Sequence, residues 1–149
     1  MGAVTMRKGS PMVDVLTRSQ RSFCMSQIRS KNTKPEIALR KALWHCGFRY
    51  RLKNSLPGRP DIVFPSRKTV IFVDGCFWHK CPYHFVYPKN RAKFWREKIE
   101  DNVQRDRRVD ELLVAEGWFV ARIWEHEIKE SLDQCLRRVA GILEQRGSV

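Results

Sequence analysis

The sequence predicts an α/β fold: a small mixed sheet flanked by helices. Three observations predict it. The chain has 149 residues, the size of one domain, and at that length about 68–70% of the unfolded surface is buried on folding, enough for a core without staples. Its apolar residues switch between helical and two-residue periods in the order α, α, β, β, β, α, β, α. The strand-like runs are short, and helical stretches stand on either side of them, which is the pattern of a sheet covered by helices.

The elements follow in chain order. Residues 1–16, MGAVTMRKGSPMVDVL, contain no apolar core of signal-peptide type. They are expected to form a disordered leader, ahead of a single domain over 17–149, and Met12 offers an alternative start. Residues 18–30 read as a short basic helix with Phe23, Met25 and Ile28 as its apolar points. Thr33, Pro35 and Glu36 then form a capping-box start. Leu39, Leu43 and Cys46 recur at helical spacing, and Gly47 stands where a helix terminates. A strand is expected over 48–52.

SLPGRPDIVF is a turn leading into a strand that enters at Asp61. Ser66, Arg67 and Lys68 make a polar turn, and TVIFV (69–73) is a β-branched, buried strand. The two strands form a hairpin with Asp61 at its start and Asp74 at its finish. PYHFVYPKNRAK is loop; a long helix runs over 94–116 and closes at Gly117. A strand is expected over 118–124, and a final amphipathic helix over 129–146 with Leu132, Cys135, Leu136, Val139 and Leu143 on its apolar face.

Lysine and arginine total 29 against 16 acids, a formal charge of +13. Such an excess says nothing about fold but favours a polyanionic partner, nucleic acid first. No apolar run approaches the roughly 18 residues of a membrane span. With no targeting segment, the expected location is the cytoplasm. Five cysteines are an odd number, spaced unlike a secreted scaffold, which favours reduced thiols and metal binding over disulfides.

Chemistry concentrates in the block VDGCFWHKCPYH, where Cys76, His79, Cys81 and His84 offer metal ligands and Phe77 and Trp78 lie between them. Cys76, Cys81 and His84 are spaced C-x4-C-x2-H, as zinc ligands are. The hairpin supplies a second pattern. Carboxylates at its two ends, Asp61 and Asp74, suit Mg²⁺, which takes a few hard oxygen ligands and leaves room for phosphate and water. Such an ion stabilises an attacked phosphodiester and activates water. On the bare residues, a pair of turn aspartates at strand edges is the alternative.

Pro60-Asp61, twelve intervening residues and Asp74-Gly75-Cys76 resemble the PD…(D/E)xK nuclease superfamily, with Cys76 in place of its lysine. A narrower resemblance covers residues 17–130. SLPGRPD, VIFVDGCFWH, FWREKI, NVQRDRR, the Gly117-Trp118 and Ile123-Trp124-Glu125 stretches and MSQIRSKNTKPE are together similar to the very short patch repair endonucleases. These are bacterial DNA mismatch endonucleases that nick beside a thymine mispaired with guanine.

The resemblance implies a restriction-endonuclease-like fold, a catalytic Mg²⁺ and a structural Zn²⁺. Asp61 is the implied central Mg²⁺ ligand, with a strand carbonyl near Val73 adding an oxygen. His79 is implied beside the scissile phosphate, where an imidazole with a reference pKa of about 6.5 suits proton transfer or phosphate contact. Glu36 is implied to order metal-bound water, although a glutamate at that spacing also serves as a helix cap. Asp106 and Asn102, four apart on one helix face, match the family's pair, with Asp106 holding a metal water or orienting His79. Asp74 departs from well-known members, which carry histidine there; it returns a second acidic group of unassigned role.

For zinc, the family's last ligand follows a Trp-Glu pair, which selects His126 after Trp124-Glu125. The expected set is Cys76, Cys81, His84 and His126. A rival set is local, Cys76, His79, Cys81 and His84; a third reading has no zinc, with inert cysteines. Phe77, Trp78 and Trp95 match aromatics that wedge into the DNA stack. Adjacent Phe77 and Trp78 cannot both point inward on a regular element, so one is expected to be exposed. Met25 and its basic neighbours match the family's DNA-embracing arm. Lys89, Arg91, Lys93, Arg105, Arg107 and Arg108 are further phosphate-contact candidates.

The expected function is therefore Mg²⁺-dependent nicking of one strand of duplex DNA at a T:G mismatch by a monomer. The alternatives are a restriction-type nuclease of different specificity and a zinc-stabilised DNA-binding protein without catalysis.

Overall fold

The computed structural model describes residues 32–147; the expected leader, the basic helix over 18–30 and Met25 lie outside them. Helix α1, Lys34–His45, starts at Thr33, whose hydroxyl accepts from the Glu36 amide. It ends at Gly47, with φ +95°, where the Phe48 amide donates to the Leu43 carbonyl and the Gly47 amide to Trp44. That paired closure needs a left-handed residue, which glycine adopts at no steric cost.

Strand β1 (Ile62–Phe64) and strand β2 (Thr69–Asp74) form an antiparallel hairpin across a 3-10 turn at Pro65–Arg67. Helix α2, Ala92–Ala115, crosses over to strand β3, Phe119–Trp124, which pairs parallel to β2 with Phe72 opposite Arg122 and Asp74 opposite Trp124. The sheet order is β1-β2-β3. A parallel partner needs a crossover of this kind.

The two-residue period sorts side chains to the two faces. Ile62, Phe64, Ile71, Ala121 and Ile123 pack with Leu39 and Leu43 of α1 and with Ile128, Cys135, Val139 and Leu143 of the C-terminal helices. Val63, Val70 and Phe72 pack against Val109 and Leu113 of α2. Helices cover both faces, as expected for an α/β architecture.

Two expectations need correction. The strand expected over 48–52 shrinks to one bridge, Arg51 with Val63. Its partner β1 has only three residues and is flanked by Pro60 and Pro65, which have no amide to donate. The helix expected over 129–146 is two helices, α3 (Glu125–Glu130) and α4 (Leu132–Arg146). Ser131 leaves the helical conformation and caps α4, accepting from the Gln134 amide at 3.3 Å.

Gly58 is required by packing. Its φ is +72°, and a Cβ there would lie 2.6 Å from Val109 Cγ1. The turn that delivers Asp61 is therefore pressed against α2.

Candidate active site and metal centre

Asp74, His79, Asn102 and Asp106 gather at the C-terminal end of β2, on the face covered by α2, with Asp61 bonded to the Val73 amide beside them. Asp61 stands just before β1. Its amide donates to the Ile71 carbonyl at 3.0 Å, and its Oδ2 accepts from the Val73 amide at 2.8 Å. The carboxylate is thus fixed against the last turn of the hairpin, beside the residue that precedes Asp74. This bond orients the group, and a carboxylate is the hard oxygen ligand that a cation such as Mg²⁺ takes.

His79 lies in the turn after β2. Its Nδ1 is 2.5 Å from Asp106 Oδ2 and 3.9 Å from Asp74 Oδ1. Burial opposes charge on the imidazole, but the Asp106 hydrogen bond and the fields of Asp74 and Asp106 outweigh it, so the pKa stands above its ordinary value. With Nδ1–H donated to Asp106, Nε2 is the atom able to exchange a proton with a phosphate oxygen or water. Asn102, one turn before Asp106 on α2, donates to the Trp78 carbonyl at 3.2 Å and ties this loop to the helix.

Asp74 is buried. Burial pushes its carboxyl up, against the opposing charges of His79 and Arg122. Both its oxygens lie 3.1 Å from Arg122 Nη1. The same guanidinium donates to Asp110, from Nε at 3.0 Å and from Nη2 at 2.8 Å, stands 3.8 Å from Asp106 and lies over the Phe72 ring at 4.1 Å. Arg122 and Asp110 went unnoticed in the sequence. Two signals mark them: a single arginine inside the apolar strand WFVARIW, and an acid four residues after Asp106 on the Asn102–Asp106 stripe.

Glu36 is buried in the cap of α1. Its Oε2 accepts from the Asn32 amide at 2.7 Å, and Arg40 lies 3.5 Å from Oε1.

Cys76, Cys81, His84 and His126 bring one ligand atom each within 4.8 Å of one another. Cys76 Sγ is 3.2 Å from His126 Nδ1, and Cys81 Sγ is 3.6 Å from Nδ1 of both His84 and His126. A tetrahedron with metal–sulfur bonds of about 2.3 Å and metal–nitrogen bonds of about 2.0–2.1 Å has edges of roughly 3.3–3.8 Å. These three sulfur–nitrogen spacings fall at or near those edges, and the Cys and His donor set suits a soft divalent cation. His79 stands outside the four, on Asp106. His126 is delivered by the short helix α3, whose Glu127 carboxylate accepts from the Trp124 amide at 2.9 Å. Without a cation, burial pushes the Cys76 thiol up to about 11; a bound cation would hold it as thiolate.

Against this centre sits an aromatic cluster. The Phe77 ring is 5.1 Å from Trp78 and 5.4 Å from Trp95, and Trp78 is 6.0 Å from Trp95. The expectation that Phe77 or Trp78 would be exposed is corrected: both are half-buried. Residues 76–80 form turns rather than a strand, so side-chain alternation does not apply and both rings turn toward Trp95. Lys89, Arg91, Lys93, Arg105, Arg107 and Arg108 are all exposed, a basic surface suited to phosphates. No helix among the described residues is long and apolar enough to cross a membrane.

Comparison with known proteins agrees with this chemistry. The family model described as DNA mismatch endonuclease Vsr matches residues 13–84. The type II nicking enzyme V.XorIIP of Xanthomonas oryzae pv. oryzae is 47% identical over 132 residues, 86% of this chain and 97% of its own. The type II nicking enzyme V.NaeI of Lentzea aerocolonigenes is 47% identical over 113 residues, 72% of this chain and 68% of its own. The DNA mismatch endonuclease Vsr of Escherichia coli is 44% identical over 117 residues, 76% of this chain and 74% of its own. With identity of 44–47% over most of its length, the chain belongs to the Vsr family of DNA mismatch endonucleases and is a strand-nicking endonuclease acting on DNA.

Proposed function

We propose that this endonuclease hydrolyses one phosphodiester of duplex DNA beside a T:G mispair, with Mg²⁺ held at Asp61 and Zn²⁺ held by Cys76, Cys81, His84 and His126. The observation that carries the reading is the junction of the hairpin carboxylate, the His79–Asp106 pair and the aromatic cluster at one end of β2. Mg²⁺ would neutralise phosphate charge and lower the pKa of a bound water.

The chain's own residues do the rest. Asp61 supplies the hard ligand. Asp106 holds the His79 ring so that Nε2 is presented for proton exchange with the phosphate or leaving oxygen. Phe77, Trp78 and Trp95 offer ring faces to bases separated at a mispair, where unstacking costs least. Glu36 is the further water-ordering candidate; its bond to the Asn32 amide equally supports a cap role. The Zn²⁺ set ties the turn after β2 to the start of α3 and so fixes the wall behind His79. The same arrangement supports a restriction-endonuclease-like fold. One such site suffices for one nick, so the working unit is a monomer acting on chromosomal DNA in the cytoplasm.

A strand-labelled duplex with one T:G pair, incubated with enzyme and Mg²⁺ beside its T:A counterpart, tests the reading. Cleavage of the thymine strand in the T:G duplex alone is expected. Equal cleavage of both duplexes would favour a restriction-type specificity instead.

A further inference from the structure

The Asp74–Arg122–Asp110 network has no part in the chemistry above, yet it touches the catalytic pair. His79 Nδ1 faces two carboxylates, Asp106 at 2.5 Å and Asp74 at 3.9 Å. Both are acceptors for the one Nδ1–H, and only one of them can hold the ring. Asp74 is the more deeply buried, its side chain 6% exposed against 23% for Asp106. A buried, unpaired carboxylate would capture the nearest donor. Arg122 prevents this by placing Nη1 3.1 Å from both Asp74 oxygens.

Its position is over-determined. The parallel register sets it opposite Phe72, whose ring it covers at 4.1 Å. Asp110 takes Nε and Nη2 from the other side. A planar fork with donors in three directions is what arginine offers and lysine does not. We infer that Arg122 is a positioning residue that occupies Asp74 and thereby assigns His79 to Asp106. Asp74 in this account is a counter-ion to Arg122 rather than a ligand of the catalytic cation. The inference rests on the proposed role of His79.

Single-turnover nicking of a T:G duplex tests it, with Arg122→Gln, Arg122→Lys and the double variant Asp74→Asn/Arg122→Gln. Arg122→Gln frees Asp74 to compete for His79, so the nicking rate should fall about tenfold to a hundredfold, the range of a misplaced catalytic group. The KM for DNA should stay within about twofold, since an interaction made only in the transition state was disturbed. Arg122→Lys keeps the charge and loses the fork, so it should show a smaller fall of the same kind.

Removing the competing charge should rescue. Asp74→Asn/Arg122→Gln is expected to nick at least about fivefold faster than Arg122→Gln, a non-additivity found only between coupled residues. A purely structural role for Arg122 predicts instead that Arg122→Gln lowers nicking only as far as it lowers the folded fraction. The single-turnover rate per folded, DNA-bound enzyme then stays parental, because the loss comes from the uncompensated Asp74 charge alone. A double variant no faster than Arg122→Gln, or an Arg122→Gln enzyme at the parental rate, overturns the inference. If Arg122→Gln does not fold, Arg122→Lys with and without Asp74→Asn gives the same comparison. His79→Ala separates the two failures: if it nicks normally, the proposed role of His79 is wrong; if it is inactive while Arg122→Gln is normal, only the positioning inference fails.

Discussion

His79 Nδ1 lies 2.5 Å from Asp106 Oδ2, joining the turn after β2 to the middle of α2 across 27 positions of sequence. That bond commits Nδ1 to the protein, and Nε2 is the atom proposed to exchange a proton at the phosphate. Asp106→Asn should keep the contact but not the charge that raises the histidine pKa. General acid–base groups contribute about 10²–10⁴-fold, so nicking by Asp106→Asn should fall at least about a hundredfold. DNA affinity, read by fluorescence anisotropy, should change little. A parental nicking rate would remove the pair from the mechanism.

The four-residue metal centre predicts about one zinc per chain by elemental analysis. Cys81→Ala removes the buried member of the set and should abolish stoichiometric zinc. Loss of a closed structural site costs several kcal/mol. At about 2–4 °C per kcal/mol for a domain of this size, the melting midpoint should drop by at least about 8 °C. His79→Ala should retain the zinc, since His79 stands outside the four.

Trp78 and Trp95 share one cluster with Phe77. Base stacking on an aromatic ring is worth about 1–3 kcal/mol. Trp78→Ala should therefore weaken binding to a T:G duplex by about 5-fold to 150-fold and leave matched-duplex binding nearly unchanged. Equal losses on both duplexes would assign Trp78 to packing. The Trp78→Ala/Trp95→Ala pair should be non-additive because the rings touch.

Gly58→Ala tests the turn that carries Asp61. The new Cβ would meet Val109 Cγ1 at 2.6 Å, at a φ of +72°. Strain and overpacking each cost about 1–3 kcal/mol, so the melting midpoint should fall by several degrees. Nicking should fall more than stability alone explains, because Asp61 moves with the turn. An unchanged melting curve would contradict the packing described here.

What could be read in the sequence was what local pattern controls. Thr33 and Glu36 marked the start of α1, and Gly47 and Gly117 the ends of α1 and α2, because caps and left-handed closures depend on neighbouring residues. The hairpin was legible because β-branched runs flank a polar turn. Cys76, Cys81 and His84 were legible by spacing; His126 was reached only through the resemblance, since 50 positions separate it from Cys76.

What failed was non-local. The run over 48–52 has strand character but meets a three-residue partner. Ser131 breaks the last helix through a cap that its S-L-D-Q pattern does signal. Arg122 joins Asp74 and Asp110 only once β3 is laid parallel to β2 under α2, and no single window contains those three elements.

The most direct test falls on Asp61, the carboxylate proposed to hold the catalytic cation. Its measurement is single-turnover nicking of a T:G duplex across a Mg²⁺ titration, comparing the parent with Asp61→Asn. The predicted result is DNA binding within about threefold of the parent and a nicking rate about 10²–10³-fold lower at every Mg²⁺ concentration, as for loss of a transition-state charge stabiliser. A variant that nicks at the parental rate with the parental Mg²⁺ dependence would contradict it.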